Sequence, residues 1–222
     1  MMENFGWLML WGVLVGLDLV SALQTMIARP LIAGTVAGFI LGDPVSGATV
    51  GVVLELFALE VLPVGGSRYP DYGLGAVCAA ATAVHAPGVF GTGIGVAVGL
   101  FVAYIGGKAI YLVRVENAAD VRAHRKQLDT GSSTAVTGVQ LRSLGRDVVR
   151  ALVVTWIGLL IAAATLRWLP VTLEVSVYLG IAAVGAGVAA GVSGVGRLTG
   201  RKSALSWFVL GLAGGLVGVV FG

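Results

Sequence analysis

The chain is dominated by apolar runs that are long enough, as helices, to cross a lipid bilayer. About 20 apolar residues span the hydrocarbon core as a helix, and only 11% of the 222 residues are charged. Because water cannot be the main solvent of such a chain, the sequence predicts an all-α, polytopic transmembrane protein. The runs of near-spanning length are 7–26, 89–113, 151–168, 175–195 and 205–221.

The interval 30–64 is hydrophobic but is broken by Gly, Pro and carboxylates. Gly42-Asp43-Pro44 interrupts it, and 63–67 (PVGGS) breaks the chain again. The interval is too long for one span and too interrupted for two ordinary ones. In transporters, broken helices at membrane depth line a cavity or mark a substrate site. We therefore expect interrupted or re-entrant helices in the N-terminal half.

Ionisable side chains are concentrated in this N-terminal third. A charge at the centre of a membrane helix disfavours insertion by roughly 2.5–3.5 kcal/mol, so it normally faces a watery cavity or a partner. If the first helix persists, Asp18, Ser21, Thr25 and Arg29 share one face; a ligand-free neutralisation of Asp18 by Arg29 is the alternative. Carboxylates and amides suit a hydroxyl-rich solute, and a cation equally well. The residues are Asp18, Arg29, Asp43, Glu55, Glu60, Arg68 and Asp71.

Glycines recur at every fourth position in four sets. Small residues let helix backbones approach closely in lipid, so we interpret these sets as packing faces. We expect no cofactor, because 91–99 (GTGIGVAVG) follows no strand and lacks the acidic residue of a dinucleotide site. We expect no metal, because two histidines and one cysteine give no ligand spacing. The sets are Gly34, Gly38 and Gly42; Gly91, Gly95 and Gly99; Gly187 and Gly191; and Gly214, Gly218 and Gly222.

Basic residues cluster in two segments that flank apolar runs, a pattern typical of membrane orientation rather than of a nucleic-acid surface. One segment is 114–150, with a flexible break expected at 131–134, and the other is 197–202. Two spans separate them, so both can face the cytoplasm. We divide the chain into an N-terminal membrane region, 1–113, a cytoplasmic basic loop, 114–150, and C-terminal membrane helices, 151–222.

Short motifs between Gln24 and Asp71 resemble the IIC subunit of the mannose, fructose and sorbose family of phosphotransferase systems. A weaker likeness extends to 117–120 (NAAD), Gln140 and Arg150. The motifs are Gln24-Thr25, Arg29-Pro30, Ala33-Gly34, Gly38, Gly42-Asp43, Gly47, Gly51, Leu54-Glu55-Leu56, Pro63-Val64-Gly65 and Pro70-Asp71.

The resemblance implies a multi-pass subunit of the bacterial cytoplasmic (inner) membrane that carries a hexose-type sugar inward. It would pair with a second membrane subunit, IID, and we expect an oligomer in the lipid bilayer. Phosphoryl transfer would belong to soluble IIA and IIB proteins, so this chain is not expected to be an enzyme by itself. Gln24, Arg29, Glu55 and Asp71 match the motif and are expected to bind sugar, with Glu55 and Asp71 facing it and Asp43 at a structural turn.

Two other functions stay open. A self-sufficient, ion-coupled secondary transporter would need coupling carboxylates, and Asp18 and Glu60, which lie outside the matched motif, are its candidates. A non-transporting membrane scaffold is the third possibility. Members of the family usually continue through another apolar segment and a polar tail, so we expect this chain to be a short form.

Overall fold

The computed structural model describes residues 3–22, 24–61, 67–86, 91–169 and 172–199, and these ranges contain helices and no strand. The all-α prediction is therefore confirmed for the described chain. Two of its helices, Gly91–Ala123 and Ser133–Trp168, are long and apolar enough to cross a membrane. The helices are α1 (Phe5–Val20), α2 (Pro30–Leu41), α3 (Pro44–Ala58), α4 (Tyr72–His85), α5 (Gly91–Ala123), α6 (Arg125–Asp129), α7 (Ser133–Trp168) and α8 (Leu173–Thr199).

The predicted interruption lies between α2 and α3, which form a tight helical hairpin. Gly42 ends α2 in a left-handed conformation (φ 90°), which glycine adopts without a Cβ penalty. Asp43 begins α3 by accepting a hydrogen bond from the Ser46 amide at 3.0 Å, and Pro44 follows at the first helical position, where its missing N–H costs nothing. The spacing of Gly42 predicted a packing face, but Gly42 is instead the C-terminal cap of α2.

Glycine contacts hold the two arms of this hairpin together. A methyl group added at Gly38 would lie 2.6 Å from the Asp43 carbonyl oxygen and 2.8 Å from the Gly47 Cα. One added at Gly34 would lie 3.2 Å from the Gly51 Cα. The backbones therefore approach as closely as small residues allow, and the packing role predicted for Gly34 and Gly38 is confirmed.

Helix α4 is the centre of the molecule. Residues Gly73 to Ala83 are all buried, and α4 packs against α1, α2, α3, α5 and α7. Its Ala-rich surface lets α5 come close. A methyl group added at Gly95 would lie 2.7 Å from the Ala79 carbonyl oxygen, and one added at Gly99 would lie 2.9 Å from the Ala79 Cβ. The 91–99 glycine stripe is therefore a packing face; the last predicted set, at 214–222, lies outside the described residues, as does the run 205–221.

The segment 114–150 is helical rather than an irregular loop. Helix α5 continues to Ala123, and α7 already begins at Ser133. The expected break is present as a short turn, in which Gly131 has a φ of 73° and Ser132 accepts a hydrogen bond from the Ala135 amide at 3.4 Å. The basic stretch therefore forms a helical hairpin that extends α5 and α7.

The close glycine packing of α2 against α3 predicts that Gly38→Ala destabilises the protein. The added methyl group meets backbone atoms, and overpacking costs about 1–3 kcal/mol. Gly145→Ala is the matched control, because a methyl group there meets nothing within 4 Å and alanine favours a helix by about 1 kcal/mol over glycine. Thermal unfolding in detergent should rank Gly38→Ala below wild type and Gly145→Ala at or above it. Equal midpoints for the two variants would contradict this packing.

Candidate functional site

The connection between α1 and α2 folds back over the Asp18 carboxylate. Helix α1 ends at Val20, so Thr25 and Arg29 do not continue its face, contrary to the expectation for a longer helix. Thr25 instead donates to Asp18 from its amide at 2.5 Å and from its hydroxyl at 2.9 Å, and the Ala28 amide donates at 3.0 Å. Asp18 is buried, and these three donors satisfy it.

Two residues of this connection have an uncommon backbone. Gln24 and Met26 have φ values of 51° and 68°, in the left-handed region that costs a residue with a Cβ roughly 1–2 kcal/mol. Such conformations persist where the surroundings hold them in place, and they concentrate at ligand sites. Both side chains are exposed. Gln24, expected from the family motif to contact sugar, thus lies on an exposed and strained segment.

Arg29 and Glu55 form an ion pair at the open side of the hairpin. Arg29 is the N-cap residue of α2, Glu55 lies on α3, and their side chains are in direct contact. Glu55 also accepts a hydrogen bond from the Leu31 amide at 3.2 Å. The two side chains are 45% and 20% exposed, so the described part of this chain does not enclose the pair. Arg29 therefore neutralises Glu55, and not Asp18 as the alternative reading of the sequence proposed.

Asp43 and Glu60 lie at opposite ends of α3. Asp43 caps its first turn, and its carboxylate also accepts a hydrogen bond from the Ser46 hydroxyl at 2.5 Å. Glu60 follows the last turn and is half-buried. At 1.5 Å per residue, the 15-residue helix between them is roughly 22 Å long. Asp43 lies roughly 18 Å along the helix from Glu55, so it does not share a site with the Arg29–Glu55 pair.

Asp71 lies in a different environment, inside the protein. Its amide donates to the Ala103 carbonyl oxygen at 2.8 Å, and its carboxylate caps α4 by accepting from the Leu74 amide at 3.1 Å. The second carboxylate oxygen lies 2.7 Å from Nη1 of Arg150. The two side chains are 0% and 1% exposed. Asp71 is thus a structural ligand of a buried guanidinium and does not reach solvent beside Glu55.

Arg150 links three helices through three different nitrogens. Besides Asp71, it contacts Asp147 on its own helix (Nε to Oδ1, 3.1 Å) and the Gly16 carbonyl oxygen of α1 (Nη2 to O, 2.8 Å). The Ser21 hydroxyl, just beyond α1, donates to the other oxygen of Asp147. We call Asp71, Asp147 and Arg150 the buried ion cluster. The sequence-based boundary placed Arg150 at the end of a cytoplasmic loop, whereas the structure places it in the core.

Asp147 is a buried, ion-paired residue that the sequence analysis did not single out. It lies within the basic stretch 114–150, and its burial follows from the continuation of α7. Its spacing of three from Arg150 was the available signal, because residues three apart on a helix are neighbours. Within the described residues, no group of three or more His, Cys, Asp or Glu side chains could hold a metal ion.

The polar ends of α5 and α7 are joined by a second ionic cluster. Asp120 accepts from Nε of Arg142 at 2.9 Å and from Nη1 of Arg146 at 3.1 Å. The hydrogen bond from Arg142 holds the pKa of the Asp120 carboxyl below its usual range. Asn117 adds a hydrogen bond to the Ser143 hydroxyl at 2.7 Å. These contacts fix the helical hairpin in one register beyond the apolar part of α5.

The buried ion cluster predicts that Arg150→Met is far more damaging than removal of a surface arginine. The variant leaves Asp71 and Asp147 buried without a cation, a change that costs about 3–5 kcal/mol. Arg125→Met is the control, since Arg125 is 79% exposed in its ion pair with Asp129. Denaturant titration in mixed detergent micelles measures both.

The triple variant Asp71→Asn, Asp147→Asn, Arg150→Met tests the same cluster from the other side. Removing all three charges should restore part of the lost stability, because replacing a whole buried ionic group is far less harmful than removing one partner. If Arg150→Met is as stable as Arg125→Met, the cluster does not hold the fold together.

Comparison with known proteins connects this architecture to a family. Residues 5–217 match the family model described as the PTS system sorbose-specific IIC component. The PTS system sorbose-specific EIIC component of Klebsiella pneumoniae is 33% identical over 194 residues, which cover 84% of this chain and 71% of that protein. The PTS system mannose-specific EIIC component of Escherichia coli K12 is 32% identical over 122 residues, 55% of this chain. That match spans 45% of the relative, less than half of its length.

Two solved structures share the fold. One, titled "Structure of membrane protein", aligns over 99% of this chain and 93% of its own, with a TM-score of 0.75 and 24% identity. The other, the mannose transporter ManYZ in complex with microcin E492, aligns over 100% of this chain and 88% of its own, with a TM-score of 0.63 and 24% identity. The helical arrangement is thus a known one, and the family match, which confirms the resemblance carried by the motifs, shows that the chain belongs to the sorbose-specific IIC component family of the phosphotransferase system.

Proposed function

We propose that this chain is the sugar-translocating IIC subunit of a phosphoenolpyruvate-dependent phosphotransferase system. It would lie as a multi-pass protein in the bacterial cytoplasmic membrane and pass a hexose-type sugar inward. Membership of the IIC family supports this proposal, and relatives carry names specifying mannose, sorbose and fructose. Two helices long and apolar enough to span a membrane support the location.

The observation that carries the proposal is the partly exposed Arg29–Glu55 pair beside the interrupted α2–α3 hairpin. A guanidinium offers hydrogen-bond donors and a carboxylate offers acceptors, so the pair matches the vicinal hydroxyl groups of a sugar, which donate and accept. The pair is neutral as a whole, which favours a neutral solute over a cation. The strained, exposed Gln24 adds an amide from the same connecting segment.

The other carboxylates of this region suit structural roles. Asp18 already accepts three hydrogen bonds, and Asp71 accepts from Arg150 and from the Leu74 amide. We therefore assign sugar contact to Gln24, Arg29 and Glu55, and we assign Asp71 to positioning α4 through Arg150. An ion-coupled carrier would need a carboxylate free to bind the coupling ion, and the three donors around Asp18 argue against that use.

The partners follow from the division of labour within such systems. The chain would pair with a IID membrane subunit, while soluble IIA and IIB proteins would transfer the phosphoryl group, so the chain itself catalyses no phosphoryl transfer. The basic α5–α7 hairpin would face the cytoplasm, as the positive-inside rule requires. The three regions 1–113, 114–150 and 151–222 then serve as sugar site, cytoplasmic hairpin and supporting helices, with Asp147 and Arg150 assigned to the core.

Glu55→Gln and Arg29→Gln are expected to weaken sugar binding by roughly 10- to 100-fold, because a hydrogen bond to a charged group contributes about 1.5–3 kcal/mol. Radiolabelled mannose, fructose and sorbose are each tested for phosphoenolpyruvate-dependent uptake into vesicles that contain the IID subunit, with IIA and IIB inside. Asp129→Asn, an exposed carboxylate on the distal turn, is the matched control and should leave uptake unchanged.

Asp71→Asn separates the two roles proposed for carboxylates. It should reduce the amount of folded protein while leaving the half-saturating sugar concentration near the wild-type value, whereas Glu55→Gln should raise that concentration with normal folding. Unchanged uptake in both Arg29→Gln and Glu55→Gln would refute the assigned site. Sugar accumulation by the purified chain alone in liposomes under a proton or sodium gradient would refute the subunit function itself.

A further inference from the structure

A cavity of about 340 Å³ lies between α5 and the segment that leads into α4. One wall is a face of α5, with Tyr104, Lys108 and Tyr111 at helical spacings of four and three. The opposite wall is formed by 68–70 (Arg68, Tyr69 and Pro70). Gly107 brings the walls together, since a methyl group there would lie 3.0 Å from the Pro70 Cα. The cavity is thus a built feature of the helix packing.

Cations stacked on tyrosine rings surround this cavity. The guanidinium carbon of Arg68 lies 4.0 Å from the centre of the Tyr111 ring, and Nζ of Lys108 lies 5.2 Å from the centre of the Tyr104 ring. Arg68 and Lys108 are the charged residues among those that line the cavity, and both are exposed. Neither forms an ion pair with a carboxylate in the part of the chain that the structure describes.

A stacked guanidinium keeps its hydrogen-bond donors available. The ring covers the flat face of Arg68, whereas the N–H groups point outward in the guanidinium plane. Arg114 fixes the wall behind it by donating to the Ser67 carbonyl oxygen at 2.7 Å and to the Tyr69 hydroxyl at 2.8 Å. A guanidinium, an ammonium group and the phenol rings of Tyr104 and Tyr111 therefore line one cavity. Those groups match the oxygens of a phosphate.

The cavity lies where α5 passes from apolar to basic sequence. Val113 ends the apolar run and Arg114 begins the basic stretch, so the cavity sits next to the end that the positive-inside rule assigns to the cytoplasm. Tyrosines concentrate at membrane interfaces, and basic pockets between membrane helices on this side bind anionic head groups.

We propose that Arg68, Lys108, Tyr104 and Tyr111 form a binding site for a phosphate-bearing anion, distinct from the Arg29–Glu55 site. The ligand is either the head group of an anionic phospholipid or a soluble phosphate ester. Both present phosphate oxygens to the same donors, the lipid as a phosphodiester and the soluble ester as a phosphomonoester. The site does not depend on the proposed sugar function, because none of its residues belongs to the sugar site.

Native mass spectrometry of the purified full chain in detergent tests this site. The protein is offered equal amounts of phosphatidylglycerol and phosphatidylcholine with identical acyl chains, with and without glycerol 3-phosphate. Preferential retention of phosphatidylglycerol that glycerol 3-phosphate does not displace would identify a lipid head group. Binding of glycerol 3-phosphate, with displacement of the lipid, would identify a soluble phosphate ester.

Charge-matched variants locate the binding. Arg68→Gln and Lys108→Gln should each weaken retention by about fivefold, the contribution of one basic residue near an anionic head group. Arg122→Gln and Lys126→Gln remove exposed charges from the distal end of the same hairpin and should have no effect. If the wild-type protein retains both lipids equally and does not bind glycerol 3-phosphate, the proposal is overturned without the variants. Equal loss of retention in the two pairs of variants would overturn it as well.

Discussion

The packing of α1, α4 and α7 centres on the buried guanidinium of Arg150. Arg150 places a positive charge in the core of an apolar protein, which is tolerated only when nearly every N–H group finds an acceptor. Its planar geometry makes this possible, because Nε, Nη1 and Nη2 point to Asp147, Asp71 and the Gly16 carbonyl oxygen. A lysine could not contact all three with fixed geometry. The close approach of α1, α4 and α7 follows from this arrangement.

The site that we propose for sugar is connected to the same cluster through Ser21. Its hydroxyl holds the beginning of the connecting segment to Asp147, Asp18 holds the middle through Thr25 and Ala28, and Arg29 holds the end. A segment fixed at three points can keep Gln24 in a left-handed conformation that an unconstrained chain would leave. Loss of the cluster would therefore disturb the segment as well as the core, and a ligand that displaces the segment would act on helix packing.

Local signals in the sequence predicted the helices and their interruption, whereas the contacts between distant residues were not predictable. Asp43, Pro44 and Gly42 are residue types that begin or end helices for reasons contained within a few residues. Asp71 and Arg150 are 79 positions apart in the sequence. Hydrophobic periodicity shows which face of a helix is buried, but it does not show which distant residue that face contacts. The polar stretch 114–150 was interpreted as a loop because hydropathy indicates only whether a segment prefers water or an apolar environment. It does not report the backbone conformation, and helices α5 and α7 continue through that stretch.

The difference between the two arginine–carboxylate pairs explains why the same residue types serve opposite purposes in one chain. An exposed ion pair contributes about 0–1 kcal/mol, so at the proposed site sugar hydroxyls could replace part of the Arg29–Glu55 contact with little loss of stability. Breaking a fully buried pair costs about 3–5 kcal/mol, and a hydrogen bond to a neutral hydroxyl group does not offset this loss of stability. We therefore assign the Asp71–Arg150 pair to the fold, although the family motif includes Asp71. Exposure, which the sequence does not contain, is the basis on which we assign Glu55 to sugar contact and Asp71 to support of the fold.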